Sequence, residues 1–294
     1  MNVKKYFKIV GIAFLVCLSI ASGIFAARFA ASPFAKGEHG GALEKLLGDG
    51  RVNILVVGMD DVGYNTDTIL VATLDTKSDK INILSVPRDT RVKLGNSTYK
   101  INAAYAYAMN TGLKKEEFLI ETVSDVTGLP INYYAIVGLS SFRDIVDTLG
   151  GVEFDVKRNY YYNDPAQNLH IDIKKGLQVL DGKNAEGLVR FRNDYAMADL
   201  ERIEVQQQFL QALISQKLKP SYLTKVPEVY NKVSQKIISN LSLTDITKYG
   251  KAAVKVDGEN IKTFMLPGAP SGSNGYFIKD DEQTVQLLRD EFGY

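Results

Sequence analysis

Past residue 50 the chain alternates between short apolar runs rich in β-branched residues and longer stretches with helical spacing. Val52 to Val57 (VNILVV), Thr68 to Leu74 (TILVATL) and Lys80 to Val86 (KINILSV) predict strands broken by polar turns. Two of these runs are nearly continuous in apolar character, which predicts central strands buried on both faces. Asn102 to Met109 and Lys114 to Thr127 predict helices, the second ended by Gly128 and Pro130. Ile131 to Val137 predicts a strand, Leu139 to Leu149 a helix closed by Gly150 and Gly151, and Val152 to Val156 a further strand. Helices then dominate, over Asp199 to Leu218, Tyr222 to Lys236 and Leu243 to Val254. Late strands at Ile261 to Leu266 and Gly275 to Ile278 precede a last helix from Glu282. With no internal repeat, this order predicts one α/β domain over 51–294, a mixed central β-sheet flanked by helices on both faces.

The first 50 residues follow another pattern. Ile9 to Ala27 (IVGIAFLVCLSIASGIFAA) is a run of 19 residues without a charge, preceded by Lys4, Lys5 and Lys8 and followed by Arg28. As a helix it is roughly 28 Å long, close to the ~30 Å hydrocarbon thickness of a bilayer. The lysines predict a cytoplasmic tail at 1–8 and everything after the helix outside the cell. A cleaved signal peptide is the rival reading, since Ala30, Ala31 and Ser32 follow the run; its length favours a retained transmembrane helix at 9–27. Lipidation at Cys17 is rejected, because the bulky Val16 stands where a small residue is wanted. Residues 28–50, with Pro33, Gly37, Gly40 and Gly41, read as a linker.

Composition narrows the chemistry. The chain is 45% apolar and 23% charged, ordinary for a globular domain. Its formal net charge is +1, but once the four N-terminal cations are set aside, 31 basic and 34 acidic residues remain. A mildly acidic body that faces outward argues against nucleic acid as a partner. The single cysteine, Cys17, lies in the apolar run, so the domain has no disulfide framework, thiol nucleophile or cysteine-based zinc site. The two histidines, His39 and His170, stand far apart, and a Ser-His-Asp triad would have to rest on His170, which reads more simply as a surface residue. Any chemistry must therefore be carried by carboxylates, arginines and lysines.

Four segments concentrate those groups. Gly58-Met59-Asp60-Asp61 closes the first strand and Thr66-Asp67-Thr68 opens the next. Carboxylates at facing strand ends can converge on one cation, and hard oxygen donors suit Mg²⁺; as turn and cap residues, the same aspartates need no metal. Ser85-Val86-Pro87-Arg88-Asp89-Thr90-Arg91 follows the third strand, where α/β sheets collect ligands. Val189-Arg190-Phe191-Arg192, if extended, puts two arginines on one face and Phe191 on the other. Arg202 and Gln206 share one face of the helix that begins near Asp199. Five arginines drawn into one cleft suit a pyrophosphate, whose oxygens match their forks; scattered over the surface they would make ordinary salt bridges.

The joint order of these segments, together with Lys100-Ile101-Asn102, Gly176-Leu177 to Gly182 and Arg202 to Gln207, resembles the LytR-CpsA-Psr family of bacterial envelope proteins over Val52 to Leu210. The resemblance implies a membrane-anchored extracellular phosphotransferase. Such an enzyme moves an anionic glycopolymer, such as wall teichoic acid or capsular polysaccharide, from a polyprenyl-pyrophosphate carrier onto peptidoglycan. It implies Asp60 and Asp67 as ligands of Mg²⁺, with Mn²⁺ as the alternative. Arg88, Arg91, Lys100, Arg190, Arg192, Arg202 and Gln206 would cradle the pyrophosphate, and Arg88, Asp89, Arg190 and Arg192 would be catalytic. Asp89 or a metal-adjacent aspartate would take the proton of the acceptor hydroxyl. An apolar tunnel for the polyprenyl tail is expected between sheet and helices, with Tyr105, Phe118, Phe142 and Phe209 as candidate lining. Departures from the family pattern stand at Ala103, at Asp199-Leu200-Glu201-Arg202 and at Val205. The alternatives are a pyrophosphatase that releases product to water and a non-catalytic envelope regulator.

Overall fold

Three consecutive apolar runs joined by short turns fold most simply as an antiparallel meander, and this meander is the centre of the molecule. The computed structural model describes residues 50–60, 64–165, 169–191, 198–217, 220–271 and 275–294. The tail, apolar helix and linker predicted at 1–50 thus lie almost wholly outside the described residues. Among the described residues no helix is long and apolar enough to cross a membrane.

In chain order the strands are β1 (Arg51–Met59), β2 (Thr66–Asp75), β3 (Lys80–Val86), β4 (Arg91–Leu94), β5 (Ser97–Lys100), β6 (Tyr133–Gly138) and β7 (Val152–Val156). They continue as β8 (Tyr160–Asp164), β9 (Leu169–Ile173), β10 (Gly176–Leu180), β11 (Ile238–Ser239), β12 (Ile261–Met265), β13 (Gly268–Pro270) and β14 (Phe277–Lys279). The α-helices are α1 (Ala104–Thr111), α2 (Lys115–Thr127), α3 (Leu139–Thr148) and α4 (Gly182–Arg190), followed by α5 (Ala198–Lys217), α6 (Val226–Val233), α7 (Leu243–Ala253) and α8 (Asp281–Leu287). The main sheet has the order β11-β6-β1-β2-β3-β12. β1, β2 and β3 pair antiparallel, whereas β6 runs parallel to β1 and β12 parallel to β3, so the sheet is mixed.

Alternation along the central strands divides the interior into two cores. Val52, Ile54, Ala72, Leu74, Ile81 and Ile83 face one side, where Val146 of α3, Leu188 of α4, Phe209 and Leu213 of α5, Val229 of α6 and Ile246 of α7 cover them. Leu55, Val57, Ile69, Val71, Leu84 and Val86 face the other, against Tyr105 of α1, Leu119 and Val123 of α2 and Leu288. Helices therefore lie on both faces, as the sequence predicts. The four aromatic residues expected along one tunnel divide between the cores: Phe142 and Phe209 pack on the first side, Tyr105 and Phe118 on the second. The sheet separates the two pairs, so they cannot line a single channel.

Two local readings are corrected. Val189 and Arg190 are not extended; they end α4, whose start is fixed by Asp181, the side chain of which accepts from the Asn184 backbone N–H at 2.8 Å. Buried Ala185 and Leu188 give α4 its apolar face, and Phe191 is buried just beyond its end. The single helix expected over Tyr222 to Lys236 is a 3₁₀ turn over Pro220–Lys225 followed by the shorter α6, in whose first turn Pro227 stands because it needs no backbone donor there. The hairpin of β8 with β9 and the ribbon of β7 with β10 are additional to the predicted elements, apart from β7.

Candidate active site

At the end of β1 the ladder with β2 slips by one residue. Gly58 faces Thr68 and Met59 faces Thr66, which leaves Asp67 as the extra residue of a bulge. Bulges re-aim side chains, and this one sets the Asp67 carboxylate against Arg88, whose Nη1 donates to Oδ1 at 2.8 Å. Arg88 sits in a tight turn after β3. The Thr90 N–H and hydroxyl both donate to the Pro87 carbonyl, at 2.9 and 2.6 Å, and the Asn102 N–H donates to the Arg88 carbonyl at 3.1 Å. Asp60 is held by Asn65, whose backbone N–H donates to Oδ1 at 3.2 Å.

Helices close the other side. Arg202 of α5 is 2% exposed and its Nη2 donates to the Asp67 carbonyl at 3.2 Å. Gln206, one turn on, donates to the Val189 carbonyl at 2.9 Å and accepts from the Thr68 hydroxyl at 3.5 Å, tying α5 to α4 and β2. Arg190 ends α4 and donates to Glu186 Oε1 at 2.7 Å. These groups surround a cleft of about 510 Å³, with Leu139, Leu169, Val189 and Tyr162 as its less polar wall.

Of the sequence-derived candidates, Asp60, Asp67, Arg88, Arg190, Arg202 and Gln206 all line this cleft. Asp89 lies beside it, bonded to Lys100 Nζ at 2.9 Å and 4.0 Å from Arg88 Nε. Lys100 is thus reached through Asp89. Arg91 is exposed on β4, opposite Lys100 in the β4–β5 ladder, and does not line the cleft. Arg192 lies outside the described residues. Sequence reasoning gave no role to Asn65, Tyr162 or Leu169 in the cleft wall, nor to Glu186 behind Arg190. Glu186 and Arg190 stand at i and i+4, a signal that is invisible when the segment is read as extended.

The cleft sets cationic guanidiniums beside two carboxylates. Three guanidiniums reach it from three different elements, and arginine is the side chain that matches phosphate oxygens bidentately. Asp60 and Asp67 supply oxygen donors. Among the described residues no three Asp, Glu, His or Cys side chains converge on a common point. A divalent cation would therefore draw two carboxylates from the protein and its remaining ligands from phosphate and water. That donor set fits Mg²⁺, which typically takes one or two carboxylates together with substrate phosphates.

Comparison with known proteins bears on this arrangement. The model of the LytR_cpsA_psr family matches residues 27–291. The chain is 29% identical over 250 residues to the polyisoprenyl-teichoic acid–peptidoglycan teichoic acid transferase TagV of Bacillus subtilis (strain 168), covering 81% of this chain and 62% of that protein. It is 30% identical over 254 residues to the correspondingly named TagU of Oceanobacillus iheyensis, covering 83% of this chain and 76% of the relative. The crystal structure of B. subtilis TagV superposes with a TM-score of 0.70 at 29% identity, covering 84% of this chain and 98% of that one.

Proposed function

Because the chain belongs to the LytR-CpsA-Psr family, we propose that it is a phosphotransferase that moves an anionic glycopolymer from a polyprenyl-pyrophosphate carrier onto peptidoglycan. The names of the relatives support this reading, since TagV and TagU are teichoic acid–peptidoglycan transferases acting on polyisoprenyl-linked polymer. The observation that carries it is the convergence of Arg88, Arg190 and Arg202 with Asp60 and Asp67 on one cleft.

In the proposed reaction the acceptor sugar hydroxyl attacks the phosphorus that bears the glycopolymer. A new P–O bond forms, the bridging P–O bond of the pyrophosphate breaks, and polyprenyl phosphate leaves. Such transfer depends on in-line positioning and on neutralising charge, which fixed guanidiniums provide without a thiol or imidazole nucleophile. Arg88 is oriented by Asp67, and Arg202 by the Asp67 carbonyl, so two forks are aimed by one bulged residue. The hydroxyl proton would pass to Asp89, which lies beside the cleft on Lys100, or to one of the cleft aspartates. Asp60 and Asp67 would hold Mg²⁺, which when bound would supply further neutralisation at the phosphoryl oxygens. The apolar run at 9–27 would anchor the domain in the membrane with its cleft outside, where donor lipid and peptidoglycan both lie.

The test is transfer by the full chain in detergent, with Mg²⁺, a polyprenyl-pyrophosphate-linked glycan and peptidoglycan oligomers. Labelled peptidoglycan should form, and Arg88→Ala or Asp67→Ala should reduce its rate at least about 100-fold, the scale of losing an oriented charge-stabilising group. Labelling indifferent to both substitutions overturns the proposal. Product formed equally well without any sugar acceptor would indicate a pyrophosphatase instead.

A further inference from the structure

Behind the cleft lies an acid that phosphate chemistry does not call for. The Glu186 side chain is only 6% exposed, and beside an anionic substrate its charge has the wrong sign. Its oxygens divide between two guanidiniums: Oε1 accepts from Arg190 at 2.7 Å, and Oε2 accepts from Arg143. The first pair is set by one turn of α4, while Arg143 arrives from α3 with its side chain 40% exposed. Arg190 lines the cleft; Arg143 does not.

An arginine at the end of a helix has many rotamers, few of which aim its fork at a phosphoryl group as charge develops in the transition state. A buried carboxylate that already holds the guanidinium removes that freedom beforehand, which is preorganisation. The drawback is electrostatic, because the same carboxylate weakens attraction for the anion. Arg143 limits that drawback by taking the second oxygen. We propose, on the premise of the phosphotransferase reading above, that Glu186 is a positioning residue that fixes the Arg190 guanidinium, with Arg143 as the counter-ion that stops Glu186 from cancelling the charge of Arg190.

Glu186→Gln removes the charge and keeps the shape. In steady-state transfer by the full chain in detergent, its kcat should fall about tenfold or more, the scale of a displaced catalytic group, while KM for the polyprenyl-pyrophosphate donor stays level or falls. Inorganic pyrophosphate, titrated calorimetrically, should bind Glu186→Gln about threefold or more tighter, since a nearby negative charge has gone. A merely structural role would lower kcat only in proportion to the folded fraction and would not tighten pyrophosphate binding; either result overturns the proposal. If Glu186→Gln shows no cooperative melting transition, Arg143→Met carries the test. It leaves Glu186 with Arg190 alone and should raise donor KM severalfold, and an unchanged KM counts against the proposal. If the wild-type chain transfers nothing, the function proposed above falls, and pyrophosphate affinity in the two variants decides the arrangement at Glu186: tighter binding in Glu186→Gln together with weaker binding in Arg143→Met sustains it, and any other pattern refutes it.

Discussion

Gly182 shows how much one hydrogen atom can decide. A Cβ built on it would overlap the Arg143 carbonyl oxygen and come within 2.8 Å of both the Arg143 Cα and an Asp147 carboxylate oxygen. The Gly182 N–H meanwhile donates to the other Asp147 oxygen at 2.7 Å, so α4 begins pressed against α3 with no space for a methyl group. Gly182→Ala should therefore destabilise the protein by about 1–3 kcal/mol, the usual cost of overpacking. Thermal melting of the full chain would register this as a lowered Tm, and an unchanged Tm would contradict the close approach. Gly182 belongs to a motif the sequence displays, but the reason for it is a neighbour more than 35 positions upstream. Asp67 is similar: its residue type suggested chemistry, whereas the bulge that aims it depends on a register slip that no spacing reveals.

Helix starts are more legible than single contacts, because their signals are local. Ser242 and Asp245 form a reciprocal capping box at α7, with the Ser242 N–H donating to Asp245 Oδ2 at 3.0 Å and the Asp245 N–H to Ser242 Oγ at 3.1 Å. Ser242→Ala should cost about 1 kcal/mol, measured by denaturant titration; a midpoint identical to wild type would show that α7 is held by packing alone. The sequence predicts α7 and the central strands within a residue or two, since strands buried on both faces have few polar interruptions to obscure them. It misreads α4 because Val-Arg-Phe-Arg alternates like a strand, and the evidence for a helix lies eight residues earlier, at Asp181. It leaves β8, β9 and β10 unassigned because their exposed faces alternate Tyr161, His170 and Leu177 with buried partners over short spans, too brief for a clear period.

Across the whole molecule the sheet separates two cores, and buried phenols stand on both sides of it. Burial, with Glu116 nearby, pushes the Tyr105 hydroxyl well above the usual tyrosine range, and burial with Glu116 and Glu117 pushes Tyr134 up to about 12. On the other side burial raises Tyr133, helped by its contacts with Tyr249 and Asp245. A group whose pKa is raised on folding contributes stability that is complete below its unfolded value, near 10 for tyrosine, and is lost as pH climbs through the folded value. Stability should thus fall steeply above about pH 10, and Tyr134→Phe should flatten that fall; denaturation midpoints measured from neutral to alkaline pH would check both, and parallel curves would refute the assignment. The direction of β1 has a different kind of consequence. The chain enters the domain at Arg51 and first reaches the cleft at Gly58, near the far end of a central strand, roughly 23 Å away. A domain tethered through its N-terminal side is therefore held by the end remote from its reaction centre. Under the anchoring proposed above, meeting a lipid headgroup would require the domain to lie over on the bilayer, and the length of residues 28–50, a contour of at most about 80 Å, would limit that reach. On that proposal, shortening this leash with every side chain of the cleft intact would lower transfer as much as damage to the cleft itself.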